Sequence, residues 1–432
     1  MFSYFLRLAW ASLRRTQGLS ILMVLTIGFG VAGTMTALSL YRGVAADPVP
    51  TRSSHLYVPQ IDTWGPAANA GTGEPPGALT YLDAKALLKA HKAKYQAAIF
   101  AIAPTITDPN GAAKPFHAKG YAVSSEFFSL ADVAFRSGSA WSAAEEDGMP
   151  TVAVISDALA VRLFGTKDAI GRTFNINGEA MRIIGTTSDW NPQPRFFDVF
   201  GSGGFSATPV DILIPVTTAG GLSLDPVGNM TCTPVVKNAS DSCVWMSFMV
   251  YLETAEEVKA YRAFIDAYTS DMQKTGRFTW PPNNRLRSIH EWLDYRKVVP
   301  SDTRISIVVA FGLLAVCLAS VLGLLVVTFD RRSREVGIRR ALGATKHAVA
   351  MQFLVESGLI GLFGGFAAVV FTIGGTALLR ASLPVAVGNM LKLDLVTFLV
   401  TLVVAISVAV LAAAYPSIKV ANPRLASLLK EA

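Results

Sequence analysis

The chain is poor in charge, in cysteine and in histidine, and each shortage excludes something. Only 16% of its 432 residues are Asp, Glu, Lys or Arg, while 51% are hydrophobic. An ordinary soluble domain carries about 25% charged residues. With a mean hydropathy of +0.41, the composition points to a membrane. The five histidines (His55, His91, His117, His290 and His347) are scattered, with no H-E-x-x-H and no His/Cys cluster, so no metal centre is expected. No G-x-S-x-G elbow occurs, since "GSGGFSATP" lacks its spacing and reads as a loop. Glu145, Glu146 and Asp147 form an acidic run that reads as a solvated turn. Of three cysteines, Cys317 lies in an apolar run. Cys232 and Cys243 are left to close the short loop "CTPVVKNASDSC" in an oxidising compartment, with two free thiols as the alternative.

What is present is length of apolar sequence. A bilayer crossing needs roughly 20 apolar residues. Four stretches supply them: 16–41, 305–329, 348–379 (where Glu356 is the only charge) and 395–418. The first run is longer than the about 7–15 residues of a signal-peptide core and ends in no clear cleavage site, so it reads as an uncleaved anchor. The net charge of +7 sits largely beside these runs, which marks topology and makes nucleic acid an unexpected partner. Arg7, Arg14 and Arg15 precede span 1, six Lys/Arg follow span 2, and Lys419, Arg424 and Lys430 follow span 4. The turn between spans 3 and 4 has only Arg380 and Lys392, with Asp394 beside them. All the basic-rich segments fall on one side if both termini are cytoplasmic, which leaves one large domain on the other side.

That domain reads as two similar strand–helix–strand units. "SSHLYVPQID", "TYLDAKALLKAHK" and "YQAAIFAIA" form the first; "VWMSFMVYLE", "TAEEVKAYRAFIDAYTSDM" and "NRLRSIHEW" form the second. In the second helix Val258, Tyr261, Ile265 and Tyr268 share one face, and Thr254 with Glu257 makes a capping box. Thr80 and Asp83 give a weaker version of the same signal in the first. Two such units can close into one ferredoxin-like sandwich with a long insertion between them, about 109–242. Within the insertion, "TVAVISDALAVRLFG" reads as a strand entering a helix, and Asn177-Gly178 joins two alternating runs as a hairpin. The Gly-, Ser- and Pro-rich remainder reads as loops around a small β-rich subdomain.

"DRRSREVGIRRALGATKHA", Asp330 to Ala348, stands between spans 2 and 3. Walker A requires G-x-x-x-x-G-K-[ST]; here Gly337 and Gly343 are one residue too far apart and Ala344-Thr345 precede Lys346, so no phosphate loop is formed. As a helix the segment places Ile338, Ala341, Leu342 and Thr345 on one face, with Arg331–Glu335 and Glu335–Arg339 as i,i+4 pairs. Gly343 suits its end and Thr345 the cap of the next span. A stop-transfer loop on anionic lipid headgroups would need neither Glu335 nor an ordered apolar face; a docking helix uses both.

"RRSREVGIRRALGATKHAVAMQFLVESGLIGLFGG" resembles the signature of MacB/FtsX-type permeases of ABC transporters: a basic R-x-R-E-x-G-x-R-x-A-x-G-A segment, then Q-F-L-x-E and a Gly-Gly pair. "VAVISDALAVRLFG" with "IGRTFNINGEAMRIIG" is similar to that family's periplasmic domain. "AAYPSIKVANPRLASLLKEA" resembles its C-terminal tail, with Asn422-Pro423 one or two residues early. The resemblance implies an α-helical membrane protein with four transmembrane helices and a large periplasmic α/β domain, a ferredoxin-like porter-type subdomain plus the inserted β-rich subdomain. Its segments would be 1–43 (amphipathic helix and span 1), 44–303 (periplasmic domain) and 304–432 (permease domain, with a coupling helix at 331–344). It also implies an inner-membrane location and a permease that lacks ATPase activity of its own. A separate cytoplasmic ATPase subunit would bind ATP and magnesium, and the chain would form a homodimer or pair with a second permease. An adaptor and outer-membrane channel can join such an assembly. Carried over by position, Arg334, Glu335, Gly337, Arg339, Arg340 and Gly343 would stand at the ATPase interface. The amphipathic "MFSYFLRLAWASLRR", with Phe2, Phe5, Leu6, Ala9 and Leu13 on one face, would lie along the membrane as a second coupling element. The implied action is mechanotransmission that exports peptides or small molecules. The alternatives are lipoprotein release or cell-envelope work by a similar permease, or an ATP-independent sensor or scaffold. Glu356 reads as structural, near enough to the cytoplasmic end to pair with an Arg.

Overall fold

The structure, a computed structural model, describes residues 2–66, 72–107, 114–188, 190–233, 243–299, 301–383, 385–388, 391 and 395–421. Lys392, Asp394, Asn422-Pro423, Arg424 and Lys430 lie outside the described residues. The chain divides into two compact units, residues 1–44 with 300–432, and residues 45–299.

In chain order the smaller unit opens with α1 (Phe2–Arg15) and α2 (Gln17–Val44). The larger unit follows with β1 (Leu56–Gln60), α3 (Tyr81–Ala90), β2 (Tyr95–Ile102), β3 (Thr105–Thr107), β4 (Phe116–His117), β5 (Gly120–Val123), β6 (Phe135–Gly138) and β7 (Val152–Ser156). It continues through α4 (Asp157–Phe164), β8 (Thr173–Ile176), β9 (Glu179–Thr187), β10 (Ile212–Pro215), β11 (Thr231–Cys232) and β12 (Cys243–Val244). It closes with β13 (Ser247–Tyr251), α5 (Ala255–Lys274), β14 (Arg285–Ser288) and α6 (Ile289–Tyr295). The smaller unit resumes with α7 (Ser301–Asp330), α8 (Ser333–Ala341), α9 (Lys346–Ser382) and α10 (Leu395–Ala421).

In the larger unit the two strand–helix–strand segments interleave. β14, β1, β13 and β2 lie side by side in that order, each antiparallel to its neighbour. The helices start where short polar side chains cap them: Thr80 accepts from Asp83 N–H at 3.1 Å, and Thr254 with Glu257 forms a full capping box. Tyr261 and Ile265 of α5 are buried, with Val258 and Tyr268 packed beside them. Along β2, Ala98, Phe100 and Ile102 enter one core while Ala97 and Ile99 enter the other, so both faces of the sheet are covered.

Among the described residues most strands of the insertion extend the main sheet, while β11 pairs apart with β12. β5 pairs with β2 from Ile99↔Val123 to Ile102↔Gly120, and the path runs on through β10, β7, β9, β8, β3 and β4. The expected local elements are there. β7 is buried throughout and enters α4, capped by Ser156, and β8 turns into β9 at Asn177 and Gly178, both with positive φ. The acidic run is a correction. Residues 143–147 form a short helix with a Ser142–Glu145 capping box, and the half-buried Glu146 accepts from Ser125 N–H at 2.7 Å. Cys232 and Cys243 are disulfide-bonded to each other across the β11–β12 pair.

One buried polar group has a consequence for pH. Asp198 accepts from Tyr121 Oη at 2.8 Å, and Arg195 Nη1 donates to the same phenol at 3.2 Å. Burial pushes the Asp198 carboxyl up from 3.8 to about 6, against the opposing pull of the Tyr121 hydrogen bond. A carboxyl raised on folding stabilises the fold below its unfolded value, and that contribution is lost as pH rises through the folded value. Asp198→Asn is therefore expected to flatten the stability profile between pH about 4 and about 6, by at most about 3 kcal/mol. Denaturant unfolding of wild type and variant across that range measures it.

Among the described residues the smaller unit holds four helices long and apolar enough to cross a membrane: Gln17–Val44, Asp302–Asp330, Lys346–Ser382 and Leu395–Ser417. α9 is central and packs on α2, α10 and α1. Its glycines set the spacing. A Cβ on Gly364 would stand 2.8 Å from Ile27 Cγ2 of α2, and one on Gly361 would stand 2.9 Å from Ile406 Cα of α10. Without hydrocarbon–water contrast to drive helices together, such close backbone contact is what dispersion requires in lipid.

Candidate functional site

The basic segment folds as α8, shorter than the expected 331–344. Arg331 and Arg332 form the turn out of α7, with Arg332 N–H on the Phe329 carbonyl at 3.0 Å. At the other end Gly343 adopts φ +102°; its N–H reaches the Arg340 carbonyl and Ala344 N–H reaches that of Arg339, both at 3.1 Å. This is a Schellman closure, which needs a left-handed residue at Gly343. Thr345 then caps α9 by accepting from Ala348 N–H at 3.2 Å. Only residues 342–345 separate the two helices.

α8 turns its apolar face outward. Ile338 is 65% exposed and Leu342 83%, and Ala341 and Thr345 are exposed with them. The helix is held instead by Val336, buried in the core of the bundle with Phe353 and Val349. Arg339 joins Glu335 at 2.6 Å and Gln352 Oε1 of α9 at 3.1 Å. The second expected pair, Arg331–Glu335, is not formed, and Arg331 is exposed. Gly337 and Arg340 are half-buried, and the side chain of Arg334 lies outside the described residues.

Beneath α8 the structure assembles a polar joint that sequence spacing alone does not reveal. Glu356, 2% exposed inside α9, accepts from Arg332 Nη1 at 2.9 and 3.0 Å through its two oxygens. Ser12 Oγ of α1 donates to Oε1 of the same carboxylate. α1 lies against α9 with Ala9 buried, Leu13 half-buried, and the Trp10 and Phe363 rings 6.0 Å apart. The side chains of Phe2, Phe5 and Leu6 lie outside the described residues. A cleft of about 160 Å³ opens between the three helices, edged by Ser12, Arg15, Arg332, Glu335 and Arg339. The one signal in the sequence was the carboxylate itself, since an ionised side chain in a span demands a partner. Ser12 and Arg332, 344 and 24 residues away, carry no local mark. Among the described residues no group of His, Cys, Asp and Glu could hold a metal ion.

Four membrane-length helices, a large α/β domain between the first two, and a short basic helix between the next two define a multi-span protein of permease type. The chain belongs to the family of the MacB-like periplasmic core domain, whose model matches residues 20–268, and the FtsX-like permease C-terminal model matches residues 307–424. It is thus a MacB/FtsX-like ABC permease. Among its relatives is the macrolide export ATP-binding/permease protein MacB of Aggregatibacter actinomycetemcomitans, 22% identical over 58% of this chain and 34% of that protein. The macrolide export ATP-binding/permease protein MacB 1/2 of Paracoccus denitrificans is 24% identical over 87% of this chain and 52% of that protein. The ABC transporter permease YknZ of Bacillus subtilis, itself uncharacterized, is 26% identical over 53% of this chain and 50% of that one. The chain spans about a third to a half of the length of these relatives. The periplasmic region of MacB from Actinobacillus actinomycetemcomitans aligns in space at a TM-score of 0.37, with 12% identity, over 57% of this chain and 94% of that one.

Proposed function

We propose that this chain is the permease subunit of a mechanotransmission ABC assembly in which a partner ATP-binding subunit docks on α8 from the cytoplasm. One observation supports this above the others: Ile338 and Leu342 are turned away from the bundle on a helix that is capped at its end and anchored by Val336 and Arg339. An apolar pair rimmed by charge and left open on a rigid helix is the form of a helix-in-groove contact. The basic residues of α1 and α8 gather at one end of the bundle, the end that faces the cytoplasm by the positive-inside rule. ATP-driven closure of the partner would move α8, and the spans would pass that movement to the 45–299 domain. Export of peptides or small molecules follows the naming of the macrolide-export relatives. Arg334, Glu335, Gly337, Arg339, Arg340 and Gly343 would lie at or beside the docking surface.

The test is co-expression of the full chain with ABC-type ATP-binding subunits encoded near it. Stable capture of one in detergent, with its ATP hydrolysis stimulated by the chain in a bilayer, is the expected result. A chain that captures none and stimulates none is no such permease.

A further inference from the structure

The joint beneath α8 goes beyond docking. Three elements converge on one buried carboxylate: α1 through Ser12, the α7–α8 turn through Arg332, and α9 through Glu356 itself. Arg332 is the residue immediately before α8, so its guanidinium ties the root of that helix to the first third of α9. Its side chain is 17% exposed, and Glu356 is all but sealed, so the pair is shielded from water and salt. Glu356 lies about 15 Å along the α9 axis from Lys346. Elsewhere α8 is attached through buried Val336, through Arg339 to Gln352 of α9, and by packing on α10.

We infer that Glu356 is the positioning residue through which displacement of α8 is transmitted to α9, with Arg332 as the link on the moving side and Ser12 as the link that makes α1 follow. The inference rests on the proposed docking of an ATP-binding subunit on α8. Its chemistry is separate from that docking, since the exposed Ile338 and Leu342 belong to one side of α8 and Arg332 to its buried root. A charge-assisted bond between well-packed partners resists both tension and rotation, which apolar contact alone does not.

The experiment uses the full chain with its partner ATPase in lipid nanodiscs and reads two quantities, partner binding and chain-stimulated ATP turnover. Glu356→Gln and Arg332→Gln are each expected to bind the partner within about twofold of wild type and to lose tenfold or more of the stimulation. The exchanged pair, Arg332→Glu with Glu356→Arg, is expected to restore at least half of it. Ser12→Ala keeps the ion pair, and an intermediate loss is expected. Stimulation that survives Glu356→Gln overturns the inference and leaves the docking intact. So does a loss that the exchanged pair fails to restore when Ser12→Ala behaves as wild type, because Glu356 is then ordinary packing. A wild-type chain that binds no ATPase overturns the proposed function, and this inference falls with it.

Discussion

Aspartate at both Ile338 and Leu342 is expected to abolish binding of the ATP-binding subunit while leaving the bundle as stable as wild type. Fully burying one such side chain stabilises a complex by about 1.5–3 kcal/mol, and a carboxylate forced into the same apolar contact adds a desolvation cost. Even half of that sum for two positions exceeds about 3 kcal/mol, a weakening of more than about 100-fold. The bundle has little to lose, because both side chains already face solvent. Copurification or surface binding reads the first quantity and thermal unfolding in detergent the second. Undiminished binding by the double variant would place the docking surface elsewhere. The contrast with Val336 sharpens the test: Val336→Ala removes a core contact and is expected to reduce stability first.

The second large effect belongs to the 45–299 domain. Arg277→Ala is expected to destabilise it by about 3–5 kcal/mol, the usual consequence of stranding a buried charge. Asp83 is fully buried at the start of α3, and Arg277 holds both its oxygens, Nη1 to Oδ1 at 2.7 Å and Nη2 to Oδ2 at 3.1 Å. Tyr268 Oη of α5 donates to Oδ1 at 2.7 Å, and Thr80 Oγ1 donates to Oδ2 at 2.6 Å. The carboxylate thus fastens the helix of one strand–helix–strand segment to that of the other. Urea unfolding followed by tryptophan fluorescence measures the loss. A double change to apolar residues, Arg277→Met with Asp83→Leu, is expected to recover most of it, because it removes the stranded charge rather than the fold. If Arg277→Ala costs less than about 1 kcal/mol, the pair is solvated in a way its geometry does not suggest.

The parts of the fold that announced themselves were those decided within a few residues. Thr254 with Glu257, Asn177-Gly178, Gly343 and Thr345 each satisfy or redirect neighbouring backbone groups, so composition and spacing suffice to place them. The four spans follow from apolar length alone. What stayed hidden was decided by chain segments meeting from afar. The pairing of β2 with β5, which makes the insertion part of the main sheet, leaves no mark in either strand beyond apolar character. The Arg332–Glu356–Ser12 joint brings together three helices, and only the odd member, a carboxylate in a span, stood out. For α8 the pattern identified which side chains share an apolar face, but an amphipathic helix ordinarily buries that face. Here Val336, on another side, is the buried apolar residue of α8 among the described side chains, so the same periodicity marks the side turned outward.

The glycine contacts of α9 limit how this bundle can move. A slide of α9 by one turn, about 5.4 Å, would in one direction set Ile360 where Gly364 now meets Ile27. A larger side chain there would have to displace Ile27, since even a Cβ on Gly364 would stand 2.8 Å from Ile27 Cγ2. These contacts oppose a piston-like slide of α9 between α2 and α10. A displacement entering at the end of α9 is therefore expected to tilt it together with α2 and α10 more readily than to shift its register between them.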